Sequence, residues 1–154
     1  MGTEIEKKFL VTDNAWRSLA SGVTYRQGYL NITKERTVRV RTMEDKGLLT
    51  IKGIATGASR AEYEYEIPAA DAEAMLNDLC EKPLIEKSRY KIDFEGFAWE
   101  VDEFFGENQG LIVAEVELER EDQQFAKPEW IGEEVTGDPR YFNANLVRNP
   151  FSKW

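Results

Sequence analysis

Charged and apolar side chains alternate in segment after segment of this chain, and that period of two constrains its fold more than any other feature. Residues two apart share one face of a β-strand, while neighbours point to opposite faces. One parity carries Glu4, Glu6 and Lys8; Arg39 and Arg41; Lys52; Glu62, Glu64 and Glu66; Lys87, Arg89 and Lys91; Glu100 and Asp102; and Glu115, Glu117 and Glu119. The other is rich in Ile5, Phe9, Val38, Val40, Ile51, Tyr63, Tyr65, Tyr90, Ile92, Trp99, Val101, Val116 and Leu118. Serine, threonine and glutamine, common on exposed strand faces, are nearly absent from the charged set. Like charges two apart, such as Arg39 with Arg41, repel unless an opposite charge lies between them. Any one of these faces reads as a solvated surface. Their repetition reads as charged walls that share a counter-ion.

The periodicity predicts strands at about 3–11, 24–32, 36–43, 48–54, 61–67, 86–94, 97–104 and 111–120, with turns at Asp45-Lys46-Gly47 and Glu95-Gly96. Asp13 is placed to cap a short helix through Trp16 and Leu19. A helix is expected over 71–81, with Ala72, Met75, Leu76, Leu79 and Cys80 on one buried face and Pro83 stopping it. A second helix is expected from Asp138 and Pro139 to just before Asn149-Pro150. Trp99, Trp130 and Trp154 read as packing residues. No repeat or linker interrupts the 154 residues, so the expectation is one mainly β (α+β) domain over 1–154. Its strands form a meander that closes into a barrel or divide into two sheets on either side of the long helix.

Composition narrows the chemistry. There is one cysteine and no histidine, which excludes disulfides, Cys/His zinc sites and histidine acid/base catalysis. A metal here is held by oxygen, which suits magnesium, manganese or calcium. Paired carboxylates are ligands for such a cation, and paired Arg and Lys are what phosphate oxygens require. Both in one enclosure fit a magnesium or manganese complex of a phosphate chain. No Gly-x-x-x-x-Gly-Lys loop is present, so side chains must cradle the phosphates. The net charge of −9 argues against a nucleic-acid partner. No apolar run approaches membrane-spanning length, and the expectation is a cytoplasmic protein with no membrane partner.

Several segments in order resemble one family. Glu4-Ile5-Glu6-Lys7-Lys8 matches a Glu-x-Glu-x-Lys signature, followed by Arg26-Gln27-Gly28-Tyr29-Leu30, Arg39-x-Arg41, Thr50-Ile51-Lys52, Glu62-x-Glu64, Glu86-Lys87-Ser88-Arg89-Tyr90, Val101-Asp102 and Ala114-Glu115-Val116-Glu117. The set resembles the CYTH superfamily, the triphosphate tunnel metalloenzymes, and most of all its short bacterial inorganic triphosphatases. The resemblance implies an eight-stranded antiparallel β-barrel tunnel with a few flanking helices and its ligand inside. Asn143-Ala144-Asn145 stands where some relatives carry a lysine, so no role for a terminal lysine carries over.

By the same resemblance, Glu4, Glu6, Asp102, Glu115 and Glu117 hold Mg²⁺ or Mn²⁺, while Lys8, Arg39, Arg41, Lys52, Lys87 and Arg89 bind the substrate. Lys8, Lys87 and Tyr29 are the candidate catalytic residues. Lys8, read as lying among other cations, is expected to have a lowered pKa and to activate water, with Tyr29 bonded to it; Glu4 or Glu6 are alternatives as base. Glu62 and Glu64 are expected to balance the arginines. The activity expected is hydrolysis of tripolyphosphate to pyrophosphate and phosphate by a monomer or homodimer. Rivals are a hydrolase or cyclase acting on ATP or thiamine triphosphate, and a polyphosphate-binding module without turnover.

Overall fold

The computed structural model describes residues 2–154. Nine strands form: β1 (Thr3–Val11), β2 (Val23–Asn31), β3 (Arg36–Met43), β4 (Lys46–Gly53), β5 (Ser59–Ile67), β6 (Ile85–Phe94), β7 (Phe97–Phe104), β8 (Ile112–Glu117) and β9 (Ile131–Glu134). Helix α1 (Ala69–Asp78) follows β5, and a single turn, α2 (Asn143–Leu146), lies near the C-terminus. The strands expected at 3–11, 36–43 and 97–104 form with those bounds, the others within three residues of them, and β9 is an addition.

The sheet runs β5-β4-β3-β2-β6-β7-β8-β1 and closes through pairing of β1 with β5, giving an eight-stranded antiparallel barrel rather than two sheets. β2 to β5 form a meander. α1 then returns the chain to the far side of β2, where β6, β7 and β8 continue the ring. β1 fills the gap between β8 and β5. Its first residues pair with β5, Thr3 opposite Ala61, and its last with β9, Val11 opposite Ile131. The closed ring removes open sheet edges.

Charged residues take the inside of this barrel, so much of its apolar core lies outside. One cluster sits on the outer face of β1, β6, β7 and β8, where Phe9, Trp99, Val101 and Val116 are buried beneath Trp16 and Trp130. Trp16 arrives on a short 3₁₀ turn, Ala15–Ser18, whose N-cap is Asn14 rather than the expected Asp13; Asp13 accepts from Ala15 N at 2.8 Å just before it. A second cluster (Tyr29, Ile85, Phe104, Val113, Tyr141, Leu146) combines inward residues at one end of the barrel with the C-terminal segment. The third lies under α1, where Ala72 and Leu76 pack on Val40 and Leu49.

α1 and the turn that follows it sit so close to the barrel that two glycines are required beneath them. A Cβ at Gly28 would meet Cys80 Cβ at 2.7 Å, and one at Gly47 would meet Ala72 Cβ at 2.8 Å. Gly47 therefore belongs to β4, and the hairpin turns one step earlier at Glu44-Asp45, with Met43 opposite Lys46. Leu79, expected in the core, is 67% exposed. The helix ends at Asp78, so the 3.6-residue period no longer governs where Leu79 points. The expected C-terminal helix is also broken. Asp138 does cap, accepting from Arg140 N at 3.1 Å, but only a 3₁₀ turn (Pro139–Tyr141) follows before Phe142 takes extended angles. Asn143 and Asn145 are poor helix formers, and α2 lasts four residues. Trp154 packs edge-on against Tyr141 and Phe151. Among the described residues no helix is long and apolar enough to cross a membrane.

Trp99 lies at the centre of the outer cluster, with ring centroids 5.7 Å from Phe9, 5.9 Å from Phe125 and 6.2 Å from Trp130. Trp99→Ala is expected to cost about 3–5 kcal/mol of stability, measured by denaturant unfolding.

Candidate active site

The inward faces of the barrel strands line a cavity of about 590 Å³. Ring closure divides its wall by charge. β7, β8, β1 and β5 are contiguous and carry Glu100, Asp102, Glu115, Glu117, Glu4, Glu6, Glu62 and Glu64. β4, β3, β2 and β6 complete the ring and carry Lys52, Arg39, Arg41, Lys87 and Arg89. Glu62 comes from mid-sequence, yet closure of β5 on β1 puts it beside Glu4.

Ion pairs stitch the two halves. Lys52 Nζ lies 3.0 Å from Glu4 and 3.4 Å from Glu62. Arg39 meets Glu64 at 3.3 Å, and Thr50 Oγ1 donates to the same carboxylate at 2.8 Å. Arg89 forks onto Asp102 at 2.7 and 2.8 Å, and reaches Glu100 at 3.2 Å. Lys87 Nζ donates to Asp102 at 2.9 Å and to Asn143 Oδ1 at 2.8 Å. The family resemblance groups Asp102 with the metal-binding carboxylates. Here both its oxygens are engaged by Arg89 and Lys87, and it is 1% exposed. Burial disfavours its charge, but those two cations outweigh burial and hold its carboxyl far below the usual range.

Lys8 differs from expectation. It belongs to the acidic half, 3.2 Å from Glu6 and 3.4 Å from Glu115. Burial alone would lower its pKa, but Glu115, Glu6 and Glu4 overcome that and raise it. Those carboxylates favour its ammonium form, opposite to the lowered pKa expected from a cationic neighbourhood. Nor does Tyr29 bond to it: Tyr29 Oη accepts from Gln27 Nε2 at 3.2 Å, and the ring packs in the apolar cluster closing the barrel end. The lysine with a depressed pKa is Lys87, through burial and the nearby Arg89 and Arg41, which outweigh the pull of Asp102.

Two features mark the cavity as built for an ionic ligand. On the basic side, Arg41 is buried with only a neutral partner, Gln27 Oε1, at 3.0 and 3.2 Å. Arg39 Nε is buried with no partner among the described residues. Burial, Arg39 and Arg89 all act against the charge of Arg41, which a guanidinium nonetheless keeps. On the acidic side, burial and crowding raise three carboxyls: Glu115 beside Glu6, Glu62 beside Glu4, and Glu117 near Glu100 and Glu4. A divalent cation relieves such crowding, and the donors are the oxygens that magnesium or manganese prefers. Among the described residues no three potential ligands are yet gathered around one point. The ammonium groups of Lys8 and Lys52 stand between the carboxylates instead.

Sequence reasoning missed Tyr25, Gln27 and Asn143 at this site. Tyr25 and Asn143 line the cavity, and Gln27 lies buried behind its wall, bonded to Arg41. Tyr25 has its ring centroid 5.0 Å from both the Arg41 and the Arg89 guanidinium carbons. The available signal was parity: Tyr25, Gln27 and Tyr29 share one face of β2, and a glutamine between two tyrosines is not an ordinary exposed face.

Asp102→Asn leaves two buried cations short of compensation, and a loss of about 3–5 kcal/mol is expected at pH 7 by denaturant unfolding. Asp102 has a depressed folded pKa, so its stabilisation is complete above the unfolded value of roughly 4 and is lost as pH falls through the folded value. The part of the stability difference between the Asp102→Asn variant and wild type that comes from titration of Asp102 itself is therefore expected to shrink only below about pH 4.

Comparison with known proteins agrees with this geometry. The CYTH domain model matches residues 2–149. An inorganic triphosphatase of Acetivibrio thermocellus is 62% identical over 154 residues, covering 100% of this chain and 99% of that protein. An inorganic triphosphatase of Nitrosomonas europaea is 40% identical over 149 residues, covering 94% and 97%. A solved crystal structure of an inorganic triphosphatase superposes with a TM-score of 0.63 at 37% identity, covering 93% of this chain and 96% of that one. A family model spanning nearly the whole chain, and full-length relatives at these identities, leave one assignment: this chain is a member of the CYTH family.

Proposed function

We propose that this protein is a metal-dependent inorganic triphosphatase that hydrolyses tripolyphosphate to pyrophosphate and phosphate within its barrel. The observation that carries the reading is Arg41, buried on one wall with a neutral partner and no carboxylate at ion-pair distance among the described residues, across the lumen from crowded carboxylates. A cavity holding excess positive charge on one wall and excess negative charge on the other favours a polyanion together with a cation. The two relatives that this chain matches over their whole length are both inorganic triphosphatases, which supports the inorganic substrate over a nucleotide.

CYTH triphosphatases are metal-dependent in general, and Mg²⁺ or Mn²⁺ is the ion proposed here. Glu4, Glu6, Glu115 and Glu117 would hold it, and when bound it neutralises phosphate oxygens and makes the reacting phosphorus more electrophilic. Arg39, Arg41, Lys52, Lys87 and Arg89 bind the phosphate oxygens, the arginines through paired N–H groups. Water attacks a terminal phosphorus, the bond from that phosphorus to its bridging oxygen breaks, and the electron pair leaves with pyrophosphate. Lys87 and Arg89 stabilise the charge that gathers on that leaving oxygen. A bound polyanion restores the ammonium form that burial and neighbouring cations disfavour at Lys87, so Lys87 can then hold or give a proton there. The proton lost by water is released to bulk water through the lumen. Lys8, on the same strand as Glu4 and Glu6, binds the phosphates when those carboxylates engage the cation. Asp102 acts at one remove, fixing Arg89 and Lys87.

Phosphate release from tripolyphosphate, ATP and thiamine triphosphate, each with magnesium, manganese or a chelator, tests the assignment. Release is expected from tripolyphosphate far faster than from the other two, and chelation is expected to abolish it. Equal release from ATP, appearance of cyclic AMP, or tight binding of tripolyphosphate without turnover would each overturn it.

A further inference from the structure

Strand β2 stands at the middle of the basic half and contributes no charge to it. Its neighbours β3 and β6 supply Arg39, Arg41, Lys87 and Arg89, while β2 itself turns Tyr25, Gln27 and Tyr29 to that side. Adjacent strands lie about 4.8 Å apart, so a neutral strand between two cationic ones roughly doubles the separation of like charges. Tyr25 lends a ring face to a guanidinium on either side.

Gln27 goes further. It is fully buried, and both polar atoms of its side chain are engaged. Oε1 accepts from Nε and Nη2 of Arg41 at 3.2 and 3.0 Å. Nε2 donates to Tyr29 Oη at 3.2 Å and to Asn143 Oδ1 at 3.1 Å. The same Asn143 oxygen accepts from Lys87 Nζ at 2.8 Å. A guanidinium has only donors to offer, so the Gln27 amide oxygen is fixed by its cationic partner. The chain Arg41–Gln27–Asn143–Lys87 thus joins two buried cations through two neutral groups. Arg39, Lys87 and Arg89 each have a carboxylate at ion-pair distance; Arg41 alone of these buried cations has none among the described residues.

We propose that Gln27 is a positioning residue that sets the site's affinity for the triphosphate: its neutral amide fixes the Arg41 guanidinium at the cavity wall and leaves that charge to be neutralised by substrate phosphate. A glutamate of the same shape would accept the same two N–H groups and also neutralise them, leaving the guanidinium satisfied before substrate arrives. The inference rests on the triphosphatase reading and concerns how tightly the site binds rather than which bond it breaks.

Imidotriphosphate, whose P–N–P bridges resist hydrolysis, serves as the probe, its affinity measured by calorimetry with magnesium on the full chain. Steady-state kcat and KM for tripolyphosphate are measured in parallel. Gln27→Glu is expected to weaken binding and raise KM by roughly tenfold or more, with kcat changed by much less. Gln27→Met keeps the site's charge and is expected to weaken binding less than Gln27→Glu does. Equal affinity of Gln27→Glu and wild type, or equal loss in Gln27→Met and Gln27→Glu, overturns the inference. If Gln27→Glu does not fold, Asn143→Asp puts a carboxylate at the other end of the same chain from the less buried C-terminal segment. It is expected to weaken binding likewise, and an unchanged affinity overturns the inference. Should wild type neither bind the probe nor hydrolyse tripolyphosphate, the triphosphatase reading fails as well. Wild-type activity with an unaffected Gln27→Glu removes only the role of Gln27.

Discussion

A barrel lined with ionised side chains can close only if charge buried on one wall meets opposite charge on another. Removing a carboxylate or guanidinium from water without a partner costs several kcal/mol, more than most single contacts return. In this chain the requirement is met by ring closure. Pairing of β1 with β5 brings Glu62 beside Glu4, so the acidic strands become neighbours and face the cationic ones. Lys52 between Glu4 and Glu62, Arg39 on Glu64, and Arg89 with Lys87 on Asp102 then hold the walls in register. Compensation is incomplete at Arg41 on one side and at Glu115, Glu62 and Glu117 on the other. Function is read from that remainder.

The inward charges also dictate where the hydrophobic stabilisation lies. With the lumen polar, apolar residues of β1, β6, β7 and β8 face outward and must be covered by other parts of the chain, which explains the buried tryptophans Trp16, Trp99 and Trp130 on that face. α1 covers β3 and β4 closely enough to need Gly47, but its reach ends there, and Tyr63 and Tyr65 on the outer face of β5 stay half exposed. The C-terminal segment caps one barrel end with Tyr141 and Leu146 and brings Asn143 to Lys87. Packing and site are therefore coupled through a stretch with little regular structure.

Much of this was legible in the sequence because a period of two is a local signal. The charged parity of β1, β3, β4, β5, β6, β7 and β8 does line the lumen, and the expected strands form with small shifts. What failed depended on neighbours across the ring. Sequence alone puts Lys8 among cations, but the strand beside it is β8, which sets Glu115 against it. Asp102 shares its parity with Glu100, and no spacing shows that Arg89 and Lys87 occupy both its oxygens. Gln27 carries no charge and so falls outside a pattern built on charge. Leu79 and the C-terminal helix fail for a different reason: a helical period cannot be extrapolated past the residue where the backbone leaves the helix.

The central claim is that the two walls divide the ligand between them, phosphates to β3 and β6, cation to β1 and β8. A crystal structure of the protein with imidotriphosphate and manganese, with the metal located by its anomalous scattering, tests it most directly. The account predicts phosphate oxygens at the guanidinium groups of Arg39 and Arg41, and a manganese peak between the phosphates and the carboxylates of Glu4, Glu6, Glu115 and Glu117. Asp102 should remain on Arg89 and Lys87. Manganese bound at Asp102, or an anion seated outside the lumen with the Arg41 guanidinium untouched, would contradict it.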